Sequence, residues 1–198
     1  MELKNNISVY IEVAGSALST LSIELLGKAR QLADKKGEQV VAYIVGADTS
    51  KAAEEAISYG ADAVVAVEDP VLEGYDSALY TKAIAALVEK YAPSVILIGG
   101  SPNGRDLGGR LSAKLKVGLV ADCIDVLHEG DDDTLTWIRP AFTGKLLVKI
   151  QTTTRPQLGT VSDKIFHGVP ADPSRNGDVI KEKVDFSGDV PTIKVTNF

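Results

Sequence analysis

A glycine-rich stretch in the middle of the chain, GGSPNGRDLGG from Gly99 to Gly109, has the spacing of a phosphate-binding loop but not its chemistry. Gly99 and Gly104 stand as in the pattern G-x-x-x-x-G-K-[ST], between a predicted strand and a predicted helix. Arg105 and Asp106 follow, where such a loop has a lysine for the terminal phosphates and a hydroxyl for Mg²⁺. Because a carboxylate in the hydroxyl position repels the neighbouring phosphate, the pattern excludes a nucleoside triphosphatase.

A well-capped helix is the simpler interpretation of the same residues. Asn103 or Asp106 would satisfy the free N–H groups at its start, and leucines at helical spacing would bury one face. This interpretation leaves Arg105 unexplained. An arginine beside an aspartate at the mouth of a strand-turn-helix unit suits planar, hydrogen-bonded contact with a carboxylate, a carbonyl or a flavin edge across an interface. We therefore predict an interface at Asn103, Gly104, Arg105 and Asp106.

The elements that position this stretch alternate between strands and helices. Helical patterns follow the first three predicted strands, and Asp76 is placed as the N-cap of the helix that Pro93 ends. The fourth strand has no polar face, which is typical of a central parallel strand covered on both sides. The alternation predicts an α/β fold with a Rossmann-like, doubly wound parallel sheet. The predicted strands are residues 7–13, 39–45, 62–67 and 94–98.

The pattern changes after Gly118. Residues 119–128, 134–142 and 145–154 are extended segments separated by turns, and they predict a small antiparallel β extension. From Val161 onward turn-forming residues dominate, which predicts a surface-wrapping segment and linker. The predicted division is an α/β domain with its extension over 1–160 and this segment over 161–198.

Composition excludes several classes of function. A net charge of −6 and a pI near 5.0 argue against nucleic acid or an anionic membrane as a partner. The single cysteine, Cys123, cannot form an intramolecular disulfide, and the N-terminus lacks a signal-peptide pattern. No apolar run reaches the ~18 residues that a membrane span requires. We expect a soluble, cytoplasmic protein.

The sequence contains no cluster of residues suited to metal binding or to nucleophilic catalysis. His128 and His167 are far apart in sequence, and Cys123 is close to neither. Asp131 to Asp133 do not alternate as calcium ligands do, so a solvated hairpin turn is the better interpretation. We predict no catalytic residue and no metal site.

Three ordered motifs give the chain a specific resemblance. ILIGGSPNGRDLGGRLSAKLKVGLVADCIDV resembles the G-R-D-L-x-x-R-L-A-x-x-L-x-x-G-L-x-A-D-C signature of the electron-transfer flavoprotein alpha subunit. RPAFTGK and TTTRPQLGTV resemble that family's later R-P-A and T-R-P-Q-M-A-T-V segments. The chain departs from the family at Gly159, where alanine is usual, and at SDKIF, where R-P-G-x-F is common.

The resemblance implies a fold, a partner and a cofactor. The fold is the adenine-nucleotide-alpha-hydrolase-like type of doubly wound sheet. The partner is a beta subunit of similar fold that carries AMP or, in bifurcating members, a second FAD. The alpha subunit's own FAD lies in a C-terminal domain whose flavin-binding segments do not occur in this sequence. We therefore expect either an excised N-terminal domain, which the linker-like last residues favour, or a shortened relative. In both cases we expect that this chain alone binds no FAD.

Two arginines that precede prolines extend the prediction to the flavin. The resemblance places Arg139, Arg155 and Gln157 near an isoalloxazine edge or in the subunit interface. Arginine supplies the positive charge and donors that raise a flavin's potential. We predict that Arg105, Arg139 and Arg155 converge at the carboxyl end of the sheet and form a docking face.

These observations predict an electron-carrier subunit domain rather than an enzyme. In its complete form it would accept electrons from acyl-CoA or other flavoprotein dehydrogenases. The alternative is a stand-alone nucleotide-binding module like the universal stress proteins, but GGSPNGRDLGG lacks the hydroxyl that follows their closing glycine. A dehydrogenase is disfavoured because AGSALST after the first strand is no G-x-G-x-x-G fingerprint.

Overall fold

A computed structural model describes residue 3 and residues 6–14, 17–130 and 132–191. The four helices are α1 (Thr20–Lys36), α2 (Ser50–Ser58), α3 (Ser77–Tyr91) and α4 (Pro102–Leu115). The strands are β1 (Ile7–Tyr10), β2 (Val13–Ala14), β3 (Ala17–Leu18), β4 (Val40–Gly46), β5 (Ala63–Glu68), β6 (Val95–Gly99), β7 (Leu119–Cys123), β8 (Asp125–Leu127), β9 (Thr136–Ala141), β10 (Leu146–Ile150), β11 (Gln157–Val161) and β12 (Asp178–Glu182). A short 3₁₀ turn covers Pro70–Leu72.

A seven-stranded parallel sheet forms the centre of the molecule. Its strand order is β12-β5-β4-β1-β6-β11-β7. One apolar cluster lies under α1 and α2, and a second lies under α3 and α4, so the sheet is covered on both faces. The predicted α/β doubly wound class is therefore confirmed, and β6, which has no polar face, is a buried central strand as expected.

Local signals place the helix ends close to their predicted positions. The Asp76 side chain accepts hydrogen bonds from the N–H groups of Ala78 and Leu79 at the start of α3. Gly37 ends α1 in the left-handed conformation, with φ of 67°. These two interactions satisfy backbone groups that a helix leaves free at its ends.

The antiparallel extension is smaller than predicted. Leu119–Cys123 was expected in it but pairs in parallel within the central sheet. Gln157–Val161, for which no strand was predicted, also pairs in parallel there. Only β8, β9 and β10 form the antiparallel sheet, in the order β10-β9-β8. The chain leaves the parallel sheet after Cys123 and returns between β6 and β7, an insertion that the local sequence pattern does not reveal.

The antiparallel sheet packs on the central sheet through Trp137. This side chain is fully buried, and its six-membered ring lies directly over Gly159 of β11. A Cβ atom built on Gly159 would overlap the ring, with Cε3 only 2.6 Å away. The glycine at this departure from the family pattern therefore makes room for the tryptophan.

The segment after Val161 contains an edge strand that the sequence analysis did not predict. Asp178–Glu182 (β12) pairs in parallel with β5 at one edge of the central sheet. The segment that leads into this strand contains Arg175, which forms an ion pair with Asp62. Nη2 of Arg175 lies 3.3 Å from Oδ1 of Asp62. The other described residues after Val161 are mostly exposed, and residues 192–198 of the predicted segment and linker lie outside the described residues.

Candidate interface at the carboxyl end of the sheet

The glycine-rich stretch leads from β6 into α4 at the carboxyl end of the sheet. Ser101 caps the helix by accepting a hydrogen bond from the Gly104 N–H at 2.9 Å, and Pro102 is the first helical residue. Asn103 and Asp106, the predicted caps, instead lie inside the helix with exposed side chains. The capping prediction was wrong because a serine in front of a proline is the stronger helix start.

Gly104 permits a close approach between α4 and the strands before it. A Cβ on this residue would overlap the carbonyl oxygen of Gly99 and would lie 3.0 Å from Oε1 of Glu12. Glu12 follows β1, and its Oε1 accepts a hydrogen bond from the Ser101 hydroxyl at 2.5 Å. A carboxylate of the protein itself thus occupies the helix N-terminus, where other proteins bind phosphate.

Ionisation of Glu12 makes the free energy of unfolding depend on pH. Burial raises the pKa of Glu12 above its ordinary value, although hydrogen bonds from Ser101 and the Gly104 N–H act in the opposite direction. With the folded-state pKa above the unfolded one, the stability that Glu12 contributes is complete below the unfolded value and is lost as the pH rises through the folded value. We expect Glu12→Gln to gain free energy of unfolding relative to wild type between pH of about 4 and about 7 in urea titrations.

Glu182→Gln is the control variant, because the pH dependence of its free energy of unfolding should have the opposite sign. Hydrogen bonds from Lys90 and Tyr91 lower the pKa of Glu182, so its contribution to stability is present above the unfolded value and is lost as the pH falls. Relative to wild type, this variant should lose free energy of unfolding as the pH rises towards the ordinary glutamate value of about 4.3, and the difference should stay constant above that value. A pH-independent difference for Glu12→Gln would contradict the raised pKa.

The exposed face of α4 carries charged groups that are held by neighbours. Nε of Arg105 lies 2.7 Å from Oδ1 of Asp122, a residue near the end of β7. Asp106 accepts a hydrogen bond from the Tyr75 hydroxyl at 2.8 Å and pairs with Nε of Arg110 at 3.2 Å. Of the four predicted interface residues, Asn103, Arg105 and Asp106 are therefore exposed, whereas Gly104 is buried against the strands. The side chains of Arg105 and Asp106 are held in place by partners within the chain.

Arg139 lies at the same end of the sheet. Its strand, β9, begins beside Gln157 and ends beside β7, where the Ile124 N–H donates to the Ile138 carbonyl at 2.7 Å. The Arg139 guanidinium is near Cys123 and acts to lower the pKa of this buried thiol, although burial raises that pKa to about 12 overall. Arg139 is half-buried and its backbone is paired in the β9–β10 ladder. Its guanidinium has no hydrogen-bond or ion-pair partner among the described residues, so its donors are available to an external acceptor.

An apolar hairpin tip extends beyond Arg139. Phe142 is 75% exposed, Leu146 56% and Leu147 63%. Phe142 and Leu146 line an open surface depression with Thr143 and Lys145. Exposed apolar patches of this kind mark interaction surfaces. These residues fall in predicted strands and turns, and no pattern in the sequence predicted the patch.

Arg155 and Gln157 lie at the opposite end of the sheet. Arg155 precedes β11, is exposed, and donates to the carbonyl oxygens of Thr152 and Thr154. Gln157 is fully buried, and its amide binds the Leu135 N–H and the Asp133 carbonyl. The predicted convergence of three arginines was therefore wrong for Arg155, because a residue in front of a parallel strand lies at its amino end.

Other candidate chemistry finds no support in the part of the chain that the structure describes. That part contains no group of three or more histidine, cysteine or acidic side chains that could hold a metal ion. Asp133 pairs with Lys36 at 2.9 Å, and Asp131 lies outside the described residues. No helix among those described is both long and apolar enough for a membrane span.

Comparison with known proteins decides the family. The family model of the electron transfer flavoprotein domain matches residues 7–187. The chain belongs to the electron transfer flavoprotein family. It is 40% identical over 190 residues to the electron transfer flavoprotein subunit alpha of Megasphaera elsdenii, covering 94% of this chain and 56% of that protein.

Two further relatives of this electron transfer flavoprotein domain carry other names. Protein FixB of Azorhizobium caulinodans is 37% identical over 194 residues, with 96% of this chain and 52% of that protein covered. Subunit LctC of the lactate dehydrogenase (NAD(+),ferredoxin) of Acetobacterium woodii is 36% identical over 165 residues, with 83% and 39% covered. The chain spans about half the length of the curated relatives it matches.

The described residues of the domain do not fit a complete FAD site. The carboxyl-end cavity is lined by Glu12 and Glu73, and both carboxylates would repel the cofactor's diphosphate. The N-terminus of α4 is already bound to Glu12.

Proposed function

We propose that this chain is the N-terminal domain of an electron transfer flavoprotein alpha subunit and that the carboxyl end of its sheet docks the beta subunit. The docking face comprises Asn103, Gly104, Arg105 and Asp106 of α4, together with Arg139 and the apolar hairpin tip. The observation that carries the proposal is their placement at one end of the sheet in a chain of this family. In open α/β sheets, ligands and partners meet this end.

The domain takes part in electron transfer without a reaction centre of its own. In the complete heterodimer, FAD is held by the part of the alpha subunit that follows this domain, and AMP or a second FAD is held by the beta subunit. Arg139 contacts an edge of the flavin or lines the interface beside it. Electrons arrive from acyl-CoA or other flavoprotein dehydrogenases through the complex.

Arg155 and Gln157 have no flavin contact in this proposal. Gln157 is buried with both ends of its amide bonded, and Arg155 binds backbone carbonyls at the far end of the sheet. Gln157 instead fixes the start of β9, and this places Arg139 at the other end of the same strand.

A stand-alone nucleotide-binding module is the weaker alternative. Such a module needs a free helix N-terminus for phosphate at the carboxyl end of the sheet. Glu12 fills this position and would repel a phosphate. Isothermal titration with ATP separates the two, since submicromolar binding to this chain would favour the alternative.

Arg139→Ala should weaken the complex with a matching beta subunit by roughly tenfold, because it removes charge-assisted hydrogen bonds at the interface. Arg155→Ala is the matched control, since it removes the same charge from the opposite end of the sheet. The measurement is the dissociation constant by titration calorimetry, with the absorbance spectrum of the bound flavin recorded in parallel. Equal effects of the two variants, or no effect of Arg139→Ala on affinity or spectrum, would contradict the role of Arg139.

A further inference from the structure

A second feature of the carboxyl end is a cavity of about 460 Å³ beside the N-terminus of α4. It opens where β1 and β4 end, close to the point at which the strand order reverses between β1 and β6. Cavities of this size and position are typical of small-molecule and side-chain binding sites. The lining residues include Tyr10, Glu12, Glu73, Tyr75, Tyr80 and Asn103.

The charged groups that line this cavity are of one sign. Glu12 and Glu73 contribute carboxylates, and no lysine or arginine is among the lining residues that the structure describes. Hydrogen bonds from the Ser101 hydroxyl and the Gly104 N–H compensate part of the Glu12 charge, yet the pKa of Glu12 remains raised because burial outweighs them. The cavity therefore favours a cationic occupant and disfavours an anion.

Aromatic rings form one wall. The rings of Tyr75 and Tyr80 meet edge to face, with centroids 5.0 Å apart. Their hydroxyls are already bonded, to Asp106 and to the Leu72 carbonyl. Since the hydroxyls are engaged, the part of this wall that remains for an occupant is aromatic, and aromatic rings attract a cation.

The nearby arginines of the chain do not supply this cation. Arg105 is paired with Asp122, and Arg110 is paired with Asp106. Both are helix residues outside the cavity lining. The described chain therefore places no lysine or arginine against Glu12 and Glu73 in this cavity.

We propose that this cavity binds a guanidinium group between the Glu12 and Glu73 carboxylates and the tyrosine wall. A guanidinium is planar, forms paired hydrogen bonds to a carboxylate and stacks on aromatic rings, and it loses less hydration than an ammonium group on entering such a site. Its source is either a free small cation or the arginine side chain of a docked protein. Asn103 belongs both to the cavity and to the docking face, so the second source is within reach of the proposed interface.

The test uses the folded chain and methylguanidinium chloride as the probe, at constant ionic strength. Backbone amide shifts of Glu12, Gly74 and Asn103 should move in a saturable manner in ¹H–¹⁵N spectra. N-methylurea, which is similar in shape but uncharged, should cause no saturable shift. Glu12→Gln should weaken methylguanidinium binding by roughly tenfold, because it removes a charged hydrogen-bond partner.

Glu89→Gln is the control for this loss of charge, since Glu89 is an exposed carboxylate on α3 outside the cavity lining. It should leave the methylguanidinium affinity unchanged. The proposal is overturned if the cavity amides do not respond while the chain is folded, if N-methylurea binds equally well, or if Glu12→Gln binds as tightly as wild type. None of these measurements requires the beta subunit, so they fail or succeed independently of the proposed function.

A final experiment identifies the source of the guanidinium group. If it is an arginine of the docked subunit, methylguanidinium should compete with beta-subunit binding, and Glu12→Gln should weaken the complex. If it is a free cation, the cavity amides should still respond to methylguanidinium in the complex. Either result supports the guanidinium site and selects one of its two sources.

Discussion

Gly159→Ala is expected to lower the free energy of unfolding by about 3 kcal/mol, the upper part of the range for overpacked cores. The new methyl group would overlap the ring of Trp137, which is completely buried between the two sheets. Neither partner can move freely, because Gly159 is held in the middle of β11 and Trp137 of β9 is paired with Ile150 of β10 and Val126 of β8. Urea unfolding followed by circular dichroism measures the loss.

Two variants make the Gly159 result specific. Gly118→Ala should be close to neutral, since the nearest atom to its Cβ is 3.4 Å away, at ordinary contact distance. Trp137→Leu should cost stability by itself but should recover part of the Gly159→Ala loss in the double variant, because the smaller side chain leaves room for the methyl group. Wild-type stability of Gly159→Ala would contradict the packing described for Trp137.

Gly104→Ala is expected to cost about 3 kcal/mol or more, because the overlap is with backbone rather than with a side chain that can rotate. The carbonyl oxygen of Gly99 and the Glu12 carboxylate both lie against the Cα of Gly104. Relief requires α4 to move away from β6, which would disturb Arg105 and Asp106 as well. Unfolding free energy and beta-subunit affinity should therefore fall together.

Gly109→Ala is the matched control in the same helix. A Cβ placed on Gly109 would have no atom within 4 Å, so alanine should stabilise α4 by up to about 1 kcal/mol through its higher helix propensity. A Gly104→Ala protein as stable as Gly109→Ala would show that α4 does not approach β6 as closely as described.

Local patterns were sufficient to predict four of the seven parallel strands, β1, β4, β5 and β6. Asp76 as an N-cap and the wholly apolar strand before Gly99 each depend on neighbouring residues only. Such features are encoded by spacing and by residue type, which a single sequence contains. The doubly wound class followed from their alternation.

The pairing of strands that are distant in sequence could not be predicted from the sequence alone. β7 and β11 are separated by the whole antiparallel sheet, yet they are neighbours in the parallel sheet. β12 has an alternating pattern with charged residues, which is what a solvent-exposed edge shows, and its pairing with β5 has no local signal. These assignments need tertiary contacts.

The candidate site illustrates the same limit. Arg105 and Arg139 were predicted from motifs and lie at the carboxyl end, whereas Arg155 lies at the amino end because it precedes its strand. Glu12 was not predicted as a site residue. A carboxylate directly after the first strand was the available signal, and only the fold shows that it meets the N-terminus of α4.

The central claim is that the carboxyl end of the sheet docks a beta subunit, and hydrogen exchange of the complex tests it most directly. The chain is mixed with a matching beta subunit, the complex is isolated by size exclusion, and amide exchange is compared with that of the free chain by mass spectrometry. We predict a 1:1 complex in which residues 103–106 and the hairpin around Phe142 gain protection, while residues 152–156 at the amino end exchange unchanged. Absence of a complex between two folded partners, or protection confined to the amino end, would contradict the account.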